Sequence, residues 1–180
     1  MLLKSISLTN FKNYESSRLD FSGKVHCFTG ENGAGKTNLL DAIYYLCFCR
    51  SYFTGIDTQL VRHGNDFFRL EGFVDDLENE HQIVCKYQLN KKKEFLQNGK
   101  AYDKFSEHIG RFPAVIIAPD DEKLISGYGE ERRKFIDISI SQTDSTYLGH
   151  LIRYTKTLNQ RNAALKKFAE TKTWDATLIG

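Results

Sequence analysis

The first part of the chain alternates apolar and polar residues in short runs, and a period of two predicts β-strands with one buried face. Ile6 and Leu8 mark the first run, and Leu19 and Phe21 mark the second. The stretch 10–17 between them is rich in polar residues and is predicted to be a turn. The chain is therefore expected to begin with two strands joined by a turn.

The pattern changes from strand to helix around a glycine-rich segment. Lys24 to Thr29 is predicted to be a short strand, and Lys36 to Cys49 is predicted to be a helix. The helix is inferred because apolar residues recur at i, i+1, i+4, i+7 and i+8, which places them on one face. These residues are Leu39, Leu40, Ile43, Leu46 and Cys47.

A β-meander is predicted in the middle of the chain. Its strands are Phe67 to Val74, His81 to Leu89, Glu94 to Gln97 and Lys100 to Asp103. Asn98-Gly99 between the last two strands is typical of a tight hairpin turn. Antiparallel strands joined by short turns are expected to form one sheet.

The last third of the sequence is predicted to be mainly helical. The continuous apolar run Ala114 to Ala118 is typical of a strand that is covered on both faces. Helical spacing of apolar residues then predicts helices at Glu130 to Gln142 and at Tyr147 to Ala169. Trp174 to Gly180 has the pattern of the start of another helix.

These elements predict a mixed α/β fold, in which a lobe with an antiparallel β-meander is followed by helices. The predicted first domain is 1–143, with the meander at 67–103, and the second is the start of a helical lobe at 144–180. The chain of 180 residues is long enough to bury a real core.

Composition predicts a protein of the cytoplasm without a membrane segment. The longest apolar stretches are far shorter than a bilayer requires, and the amino terminus lacks the apolar core of a signal peptide. Cys27, Cys47, Cys49 and Cys85 contain no C-x-x-C pair, so they are expected to be buried, reduced thiols. The net charge of +2 is too small to indicate a nucleic-acid partner by itself.

One segment has the complete pattern G-x-x-x-x-G-K-[ST], which is a phosphate-binding loop or Walker A motif. It lies between a predicted strand and a predicted helix, in the order that the motif requires. Backbone amides of such a loop surround the phosphates of ATP, the lysine reaches the β and γ phosphates, and the hydroxyl ligates Mg²⁺. The predicted nucleotide-binding residues are Gly30, Glu31, Asn32, Gly33, Ala34, Gly35, Lys36 and Thr37, with Thr37 as the Mg²⁺ ligand.

The run Ala114 to Asp121 is similar to an apolar strand that ends in metal-binding acids, but we reject that interpretation. Pro119 separates the apolar run from Asp120 and Asp121. The acids stand where a short helix would begin, and negative charges are favourable there without any catalytic role. We therefore predict no catalytic residue in this segment and leave the role of the two aspartates open.

Basic residues form local clusters that are candidates for DNA contact. Lys91, Lys92 and Lys93 lie at the predicted tip of a hairpin, and Arg132 and Arg133 open a predicted helix. Each cluster taken alone is more commonly a solvated surface than a phosphate contact. Arg161 on the long helix completes the set of candidates.

Several segments together resemble the RecF family of bacterial recombination mediators, which are ABC-type ATPases related to SMC heads. The resemblance covers nearly the whole chain, and the combination of RRxFxD with QRNxxLK is its most specific part. The segments are FKNY at 11–14, GENGAGKTNLLDAIYYL at 30–46, CRSYFTG at 49–55, APDDEKLISG at 118–127, ERRKFID at 131–137 and LNQRNAALK at 158–166.

The resemblance implies a P-loop NTPase fold of ABC/SMC-head type with ATP held between two protomers. It implies binding to DNA at gaps or single-strand to double-strand junctions, and loading of recombinase with RecO- and RecR-type mediators. The associated processes are DNA replication, DNA repair, recombination, DNA damage and the SOS response. By analogy with the head domains, Lys12 and Asn13 would frame the nucleotide; a simple turn is an equally good interpretation.

Members of such families are roughly twice as long as this chain, and their signature loop and Walker B acid come late in the sequence. Neither motif appears here, so the chain is expected to be an amino-terminal lobe that binds ATP without hydrolysing it. The intact protein is expected to be a weak ATPase. The alternatives are a small P-loop kinase or phosphotransferase, and a nucleotide-sensing interaction module.

Overall fold

The alternating residues of the first hundred positions lie on one six-stranded antiparallel sheet. The computed structural model describes residues 1–76 and 78–171. The chain divides into two units, Met1–Asp121 and Glu122–Gly180. The strand order across the sheet of the first unit is β2-β1-β3-β4-β5-β6. The strands are β1 Leu2–Phe11, β2 Tyr14–Asp20, β3 Phe67–Asp75, β4 Glu80–Gln88, β5 Glu94–Gln97 and β6 Lys100–Ala101.

The hairpin of β1 and β2 has a shorter turn than the sequence predicts. The strands pair up to Phe11 opposite Tyr14, so the turn is Lys12 and Asn13 rather than the whole stretch 10–17. Lys12 has a φ of 51°, in the left-handed region. A two-residue hairpin turn requires such a conformation, because its twist must match that of the strands.

The meander is confirmed, and its strands lie within a few residues of the predicted bounds. Asn98 and Gly99 have φ values of 50° and 79°, as expected for a tight turn between β5 and β6. Residues 89–93 connect β4 to β5, so the predicted hairpin tip is also confirmed. The short connections explain why consecutive strands are neighbours in the sheet.

One face of the sheet is covered by helix α1, Lys36–Phe48, which confirms the predicted helix and ends one residue before the predicted Cys49. Tyr45 of α1 makes edge-to-face contacts with Phe11 and Phe68, at centroid distances of 6.4 and 5.7 Å. The helix approaches β3 so closely that a Cβ atom at Gly72 would stand 2.7 Å from a methyl group of Leu46. The core therefore lies between α1 and the middle of the sheet.

Two predicted strands are wrong. Neither Lys24 to Thr29 nor Ala114 to Ala118 is a strand among the residues that the structure describes. A strand needs a neighbour for its backbone groups, and the six-stranded sheet does not include these segments. Their outward side chains are exposed, with Val25 at 89%, Val115 at 79% and Ile117 at 84% of full exposure.

The second unit consists of helices, of which the two long ones were predicted, and the short one follows the helix start predicted at Asp120. They are α2 Lys123–Ser126, α3 Gly129–Ser141 and α4 Ser145–Thr171. The Asp144 carboxylate accepts the backbone amides of Thr146 and Tyr147 at 2.8 and 3.0 Å, which caps the first turn of α4. The helix predicted to begin at Trp174 lies outside the described residues. The domain boundary predicted at 143/144 stays a prediction.

Within the described ranges 1–76 and 78–171, no helix is both long enough and apolar enough to cross a bilayer.

Candidate functional site

The glycine-rich segment before α1 is a curled loop that glycine makes possible. Gly30, Gly33 and Gly35 have φ values of 143°, 85° and 105°, which residues with a side chain rarely adopt. Gly35 is also the residue before the first turn of α1, and it has no side chain to cap the amides there. In such a loop, backbone N–H groups stand beside the positive end of the helix dipole, and both favour a bound anion.

Lys36 and Thr37 complete this arrangement at the start of α1. The Lys36 ammonium donates hydrogen bonds to the carbonyls of Gly30 and Glu31, both at 2.8 Å, so the side chain folds back over the loop. Thr37 is exposed in the first helical turn, which contains no acidic residue that would neutralise the dipole. The predicted residues fit a triphosphate with Mg²⁺ at the Thr37 hydroxyl.

The turn of the β1–β2 hairpin packs against this loop. The Tyr14 hydroxyl donates to the Gly35 carbonyl at 3.2 Å, and the Asn13 amide donates to the Gly33 carbonyl at 3.4 Å. Asn38 of α1 donates to the Asn13 carbonyl oxygen at 2.8 Å. A Cβ atom at Gly35 would lie 2.7 Å from the Asn13 side chain, so the close approach and the positive φ both require glycine.

Lys12 points away from the loop, toward the buried face of α1. Its ammonium forms an ion pair with Asp41, with 2.6 Å between Nζ and Oδ2. Asp41 also accepts hydrogen bonds from the Ser51 hydroxyl at 2.7 Å and the Tyr52 amide at 2.8 Å. Of the two predicted framing residues, Asn13 contacts the loop itself, and Lys12 contacts the helix that follows it.

The structure gives Asp121 a local role that the sequence left open. Its carboxylate accepts the Ala118 amide at 2.7 Å and also a short hydrogen bond from the Tyr52 hydroxyl. Burial and this carboxylate raise the pKa of Tyr52 to about 12. Within the described part of the chain, no group of three His, Cys, Asp or Glu side chains could hold a metal ion.

The three lysines of the hairpin tip differ from one another. Lys91 and Lys92 are exposed, whereas the Lys93 ammonium is directed inward. It donates to Asp57 at 2.8 Å, to the Tyr45 hydroxyl at 2.9 Å and to the Cys49 carbonyl at 2.8 Å. Lys93 therefore joins the hairpin to the end of α1, and its charge is satisfied inside the fold.

The arginine candidates are in the second unit. Arg132 donates to the carbonyls of Leu124 and Gly127 at 3.3 and 3.0 Å, so it tethers α3 to the turn before it. Arg133 and Arg161 are exposed on α3 and α4. These two guanidinium groups are accessible to a phosphate backbone.

Sequence reasoning missed Tyr14, Asn38 and Asp41. Asp41 had a detectable signal, because it is a charged residue on the helix face that also carries the buried Tyr45 and Phe48. Tyr14 and Asn38 had none, since their contacts depend on how the hairpin packs against the loop.

The AAA ATPase domain family matches residues 1–176. The chain belongs to this family. Among its relatives are proteins named DNA replication and repair protein RecF. The one from Flavobacterium johnsoniae is 50% identical over 175 residues, which is 97% of this chain and 49% of that protein. The one from Phocaeicola vulgatus is 48% identical over 94% of this chain and 46% of that protein. The chain thus spans about half the length of these relatives.

Solved structures support the same family and the predicted fold class. The structure of the recombination mediator protein RecF-ATPrS in the RecFOR pathway has a TM-score of 0.89 and 35% identity, over 98% of this chain and 48% of that chain. The structure of RecF-ATP in the same pathway has a TM-score of 0.83 and 35% sequence identity, over 93% of this chain and 46% of that chain. An SMC head domain from Thermotoga maritima shares the fold. Its TM-score is 0.55 and its sequence identity is 20%, over 71% of this chain and 52% of that chain. The resemblance to RecF and the ABC/SMC-head fold are both confirmed.

Proposed function

We propose that this chain is the ATP-binding part of a RecF-like DNA replication and repair protein. The observation that carries the proposal is the loop 30–35, whose three left-handed glycines precede Lys36 at the start of α1. Its amides would hold the β-phosphate, and the Lys36 ammonium would exchange its carbonyl partners for the β and γ phosphates. The Thr37 hydroxyl would ligate Mg²⁺, which neutralises the phosphates.

Replacing Lys36 with alanine tests this proposal. Fluorescent mant-ATP with Mg²⁺ is titrated into the wild-type chain, into Lys36→Ala and into Lys24→Ala, which removes an exposed lysine near the loop. We expect Lys36→Ala to weaken binding by about a hundredfold, or ~3 kcal/mol, because charge-assisted hydrogen bonds are lost. Lys24→Ala is expected to bind as the wild type does. Equal affinity of Lys36→Ala and wild type would refute ATP binding at this loop.

We further propose that the 180-residue chain binds ATP without steady-state turnover. The support is that its sequence contains no signature loop and no Walker B acid, which orient the γ-phosphate and the attacking water in this class of ATPase. A coupled phosphate-release assay with Lys36→Ala as the blank measures turnover. Activity that is robust in the wild type and lost in Lys36→Ala would contradict the proposal.

For the longer protein, we propose DNA binding at gaps or single-strand to double-strand junctions by an ATP-dependent dimer. RecO- and RecR-type proteins would be partners in loading recombinase, in the cytoplasm and during the SOS response. The support is the RecF relatives and the RecFOR pathway of the similar structures. The exposed candidates for phosphate contact are Lys91, Lys92, Arg133 and Arg161. Arg132 is exposed as well, but its guanidinium group donates to the carbonyls of Leu124 and Gly127.

The lysine pair can be tested by the salt dependence of DNA binding. Lys91→Glu/Lys92→Glu is compared with wild type on a gapped duplex over a range of KCl concentrations. Each phosphate contact contributes about 0.9 to the slope of log affinity against log salt, so we expect the slope to fall by about 2. An unchanged slope would remove this tip from the DNA interface.

A small P-loop kinase remains the alternative class, and the fold disfavours it. Such kinases alternate strands and helices around a parallel sheet, whereas the sheet here is antiparallel and continuous from β3 to β6. A nucleotide-sensing module without turnover would have the same loop. It differs from the proposed function in having no DNA partner, which the titration above measures.

A further inference from the structure

We propose that Asp41 is a positioning residue for nucleotide binding, although it lies on the buried face of α1 and would not touch ATP. Asp41 holds the turn of the β1–β2 hairpin in place, and this hairpin turn holds the loop 30–35. The inference rests on the proposed ATP-binding function, and it assigns the loop geometry to a buried ion pair outside the Walker A motif.

The Asp41 carboxylate is buried, and three donors compensate its negative charge. Its side chain is fully buried, with 0% exposure, and it accepts from Lys12 Nζ, Ser51 Oγ and the Tyr52 amide. Burying a carboxylate is costly unless such partners are present. The three donors come from the β1–β2 turn and from the segment that follows α1, so one side chain joins three parts of the chain.

Lys12 transmits this constraint to the hairpin turn. Its backbone amide donates to the Leu60 carbonyl at 2.7 Å, and its ammonium lies 5.4 Å from the centre of the Phe53 ring. The residue is thus fixed at its backbone and at the end of its side chain. Its left-handed φ of 51° sets the direction in which the chain continues to Asn13 and Tyr14.

Asn13 and Tyr14 carry the constraint to the nucleotide loop. They contact the carbonyls of Gly33 and Gly35, and Asn13 also accepts from Asn38 on α1. Since the loop leads directly into α1, the contacts form a closed ring. It runs from the loop along α1 to Asp41, across to Lys12, and back through the turn to the loop.

The ring is expected to matter for affinity because the loop binds phosphate through backbone amides. A loop that samples several conformations must be ordered on binding, and that cost reduces affinity. Glycines give the loop its curled form but also more freedom than other residues have. The β1–β2 hairpin turn restrains the loop, and the Asp41–Lys12 ion pair restrains the hairpin turn.

The chain offers a matched control at the other end of α1. Asp57 also accepts from a lysine, Lys93, at 2.8 Å, and from the Tyr45 hydroxyl at 2.8 Å. Asp57→Asn therefore removes the same kind of ion pair next to the same helix. This pair lies near the carboxyl end of α1, whereas the loop 30–35 precedes its amino end. Asp41→Asn and Asp57→Asn both lower stability, and only Asp41→Asn is expected to change the loop.

Two measurements on the 180-residue chain test the inference. The first is mant-ATP affinity with Mg²⁺, which we expect to fall at least tenfold in Asp41→Asn and less than twofold in Asp57→Asn. The second is hydrogen exchange of the amides of residues 30–37 without nucleotide, which we expect to be faster in Asp41→Asn alone. Equal affinities and equal exchange in the two variants would overturn the inference.

Failure of this inference can be distinguished from failure of the proposed function, because affinity and hydrogen exchange are measured separately. If Lys36→Ala binds mant-ATP like wild type, ATP binding at the loop is refuted, and the exchange measurement still decides whether Asp41 orders the loop. If Asp41→Asn does not fold, Tyr14→Phe tests the same ring by removing the hydroxyl that donates to Gly35. Faster exchange at 30–37 in Tyr14→Phe supports the ring, and wild-type exchange there overturns it.

Discussion

His108 shows at the residue scale how burial sets the chemistry of a side chain. It is fully buried, and its Nε2 lies 2.7 Å from the carbonyl of Leu46 in the last turns of α1. The rings of Phe95, Tyr102 and Phe112 surround it. Burial lowers the pKa of His108 to about 4, so the ring stays neutral and donates to the helix carbonyl.

We predict that the first unit loses stability as pH falls from about 6.5 to about 4. In this window the unfolded chain binds a proton at His108 and the folded chain does not, so unfolding becomes more favourable as pH decreases. The loss is expected to reach about 3 kcal/mol. Of this loss, about 2 kcal/mol is expected between pH 7 and pH 5, and urea unfolding at these two pH values measures it.

His108→Gln is the control, since an amide can donate to the Leu46 carbonyl without titrating. The variant is expected to lose most of the difference between pH 7 and pH 5. Asp76 contributes in a lower pH range, because the hydrogen bond from His81 lowers the pKa of the Asp76 carboxyl to about 2. An unchanged pH dependence in His108→Gln would contradict the assignment to His108.

At this scale the sequence predicts residues whose chemistry is local. Roles in nucleotide binding could be predicted for Gly30, Gly33, Gly35, Lys36 and Thr37, because a phosphate-binding loop is built from consecutive residues. The lysines at the hairpin tip could not be told apart, since only tertiary packing directs Lys93 inward and leaves Lys91 and Lys92 in solvent.

At the element scale, the Lys93–Asp57 pair ties the β4–β5 connection to α1. The Lys93 ammonium lies 5.1 Å from the centre of the Tyr45 ring and 5.3 Å from that of Phe105. Its side chain is only 14% exposed, so solvent screens the pair weakly. The hairpin tip is therefore held at Lys93, while Lys91 and Lys92 are exposed to solvent.

We predict that Lys93→Met lowers the free energy of unfolding by about 3 kcal/mol, because it leaves Asp57 without its cation. Lys92→Met, at an exposed position, is expected to change it by less than about 0.5 kcal/mol. Urea unfolding followed by far-UV circular dichroism compares the two variants. Similar stabilities would show that the Lys93 pair contributes no more than a surface contact does.

The elements that the sequence predicts well are those with local causes. The strands of the meander alternate clearly and are joined by short turns, and α1, α3 and α4 have strong helical periodicity. Lys24 to Thr29 and Ala114 to Ala118 have strand-like composition as well, but a strand also needs neighbours. The first unit does not provide them among the described residues.

At the scale of the whole molecule, the apolar side chains of these two segments are the main uncovered feature of the first unit. In residues 114–118, Ile116 is half-buried and Ala118 is buried, while Val115 and Ile117 face outward. The segment is thus covered on one face, whereas the sequence predicted that both of its faces would be covered. An extended segment with an apolar outer face favours association with other chains.

We predict that the purified 180-residue chain self-associates without nucleotide, and that Val115→Lys/Ile117→Lys reduces this association. Sedimentation velocity over a tenfold range of concentration measures it. Ser16→Lys/Thr58→Lys adds the same charge at exposed polar positions and serves as the control. If both double variants reduce association equally, net charge and not the apolar face is responsible.

The sequence by itself determined the family, the glycine-rich loop before α1, the meander and the helices, because each depends on residues that are close together along the chain. Tertiary structure decided which charges are buried and what they hold: Lys12 with Asp41, and Lys93 with Asp57. It also decided that two apolar runs remain outside the sheet. Ion pairs and strand pairing join residues far apart in sequence, and no local pattern specifies them.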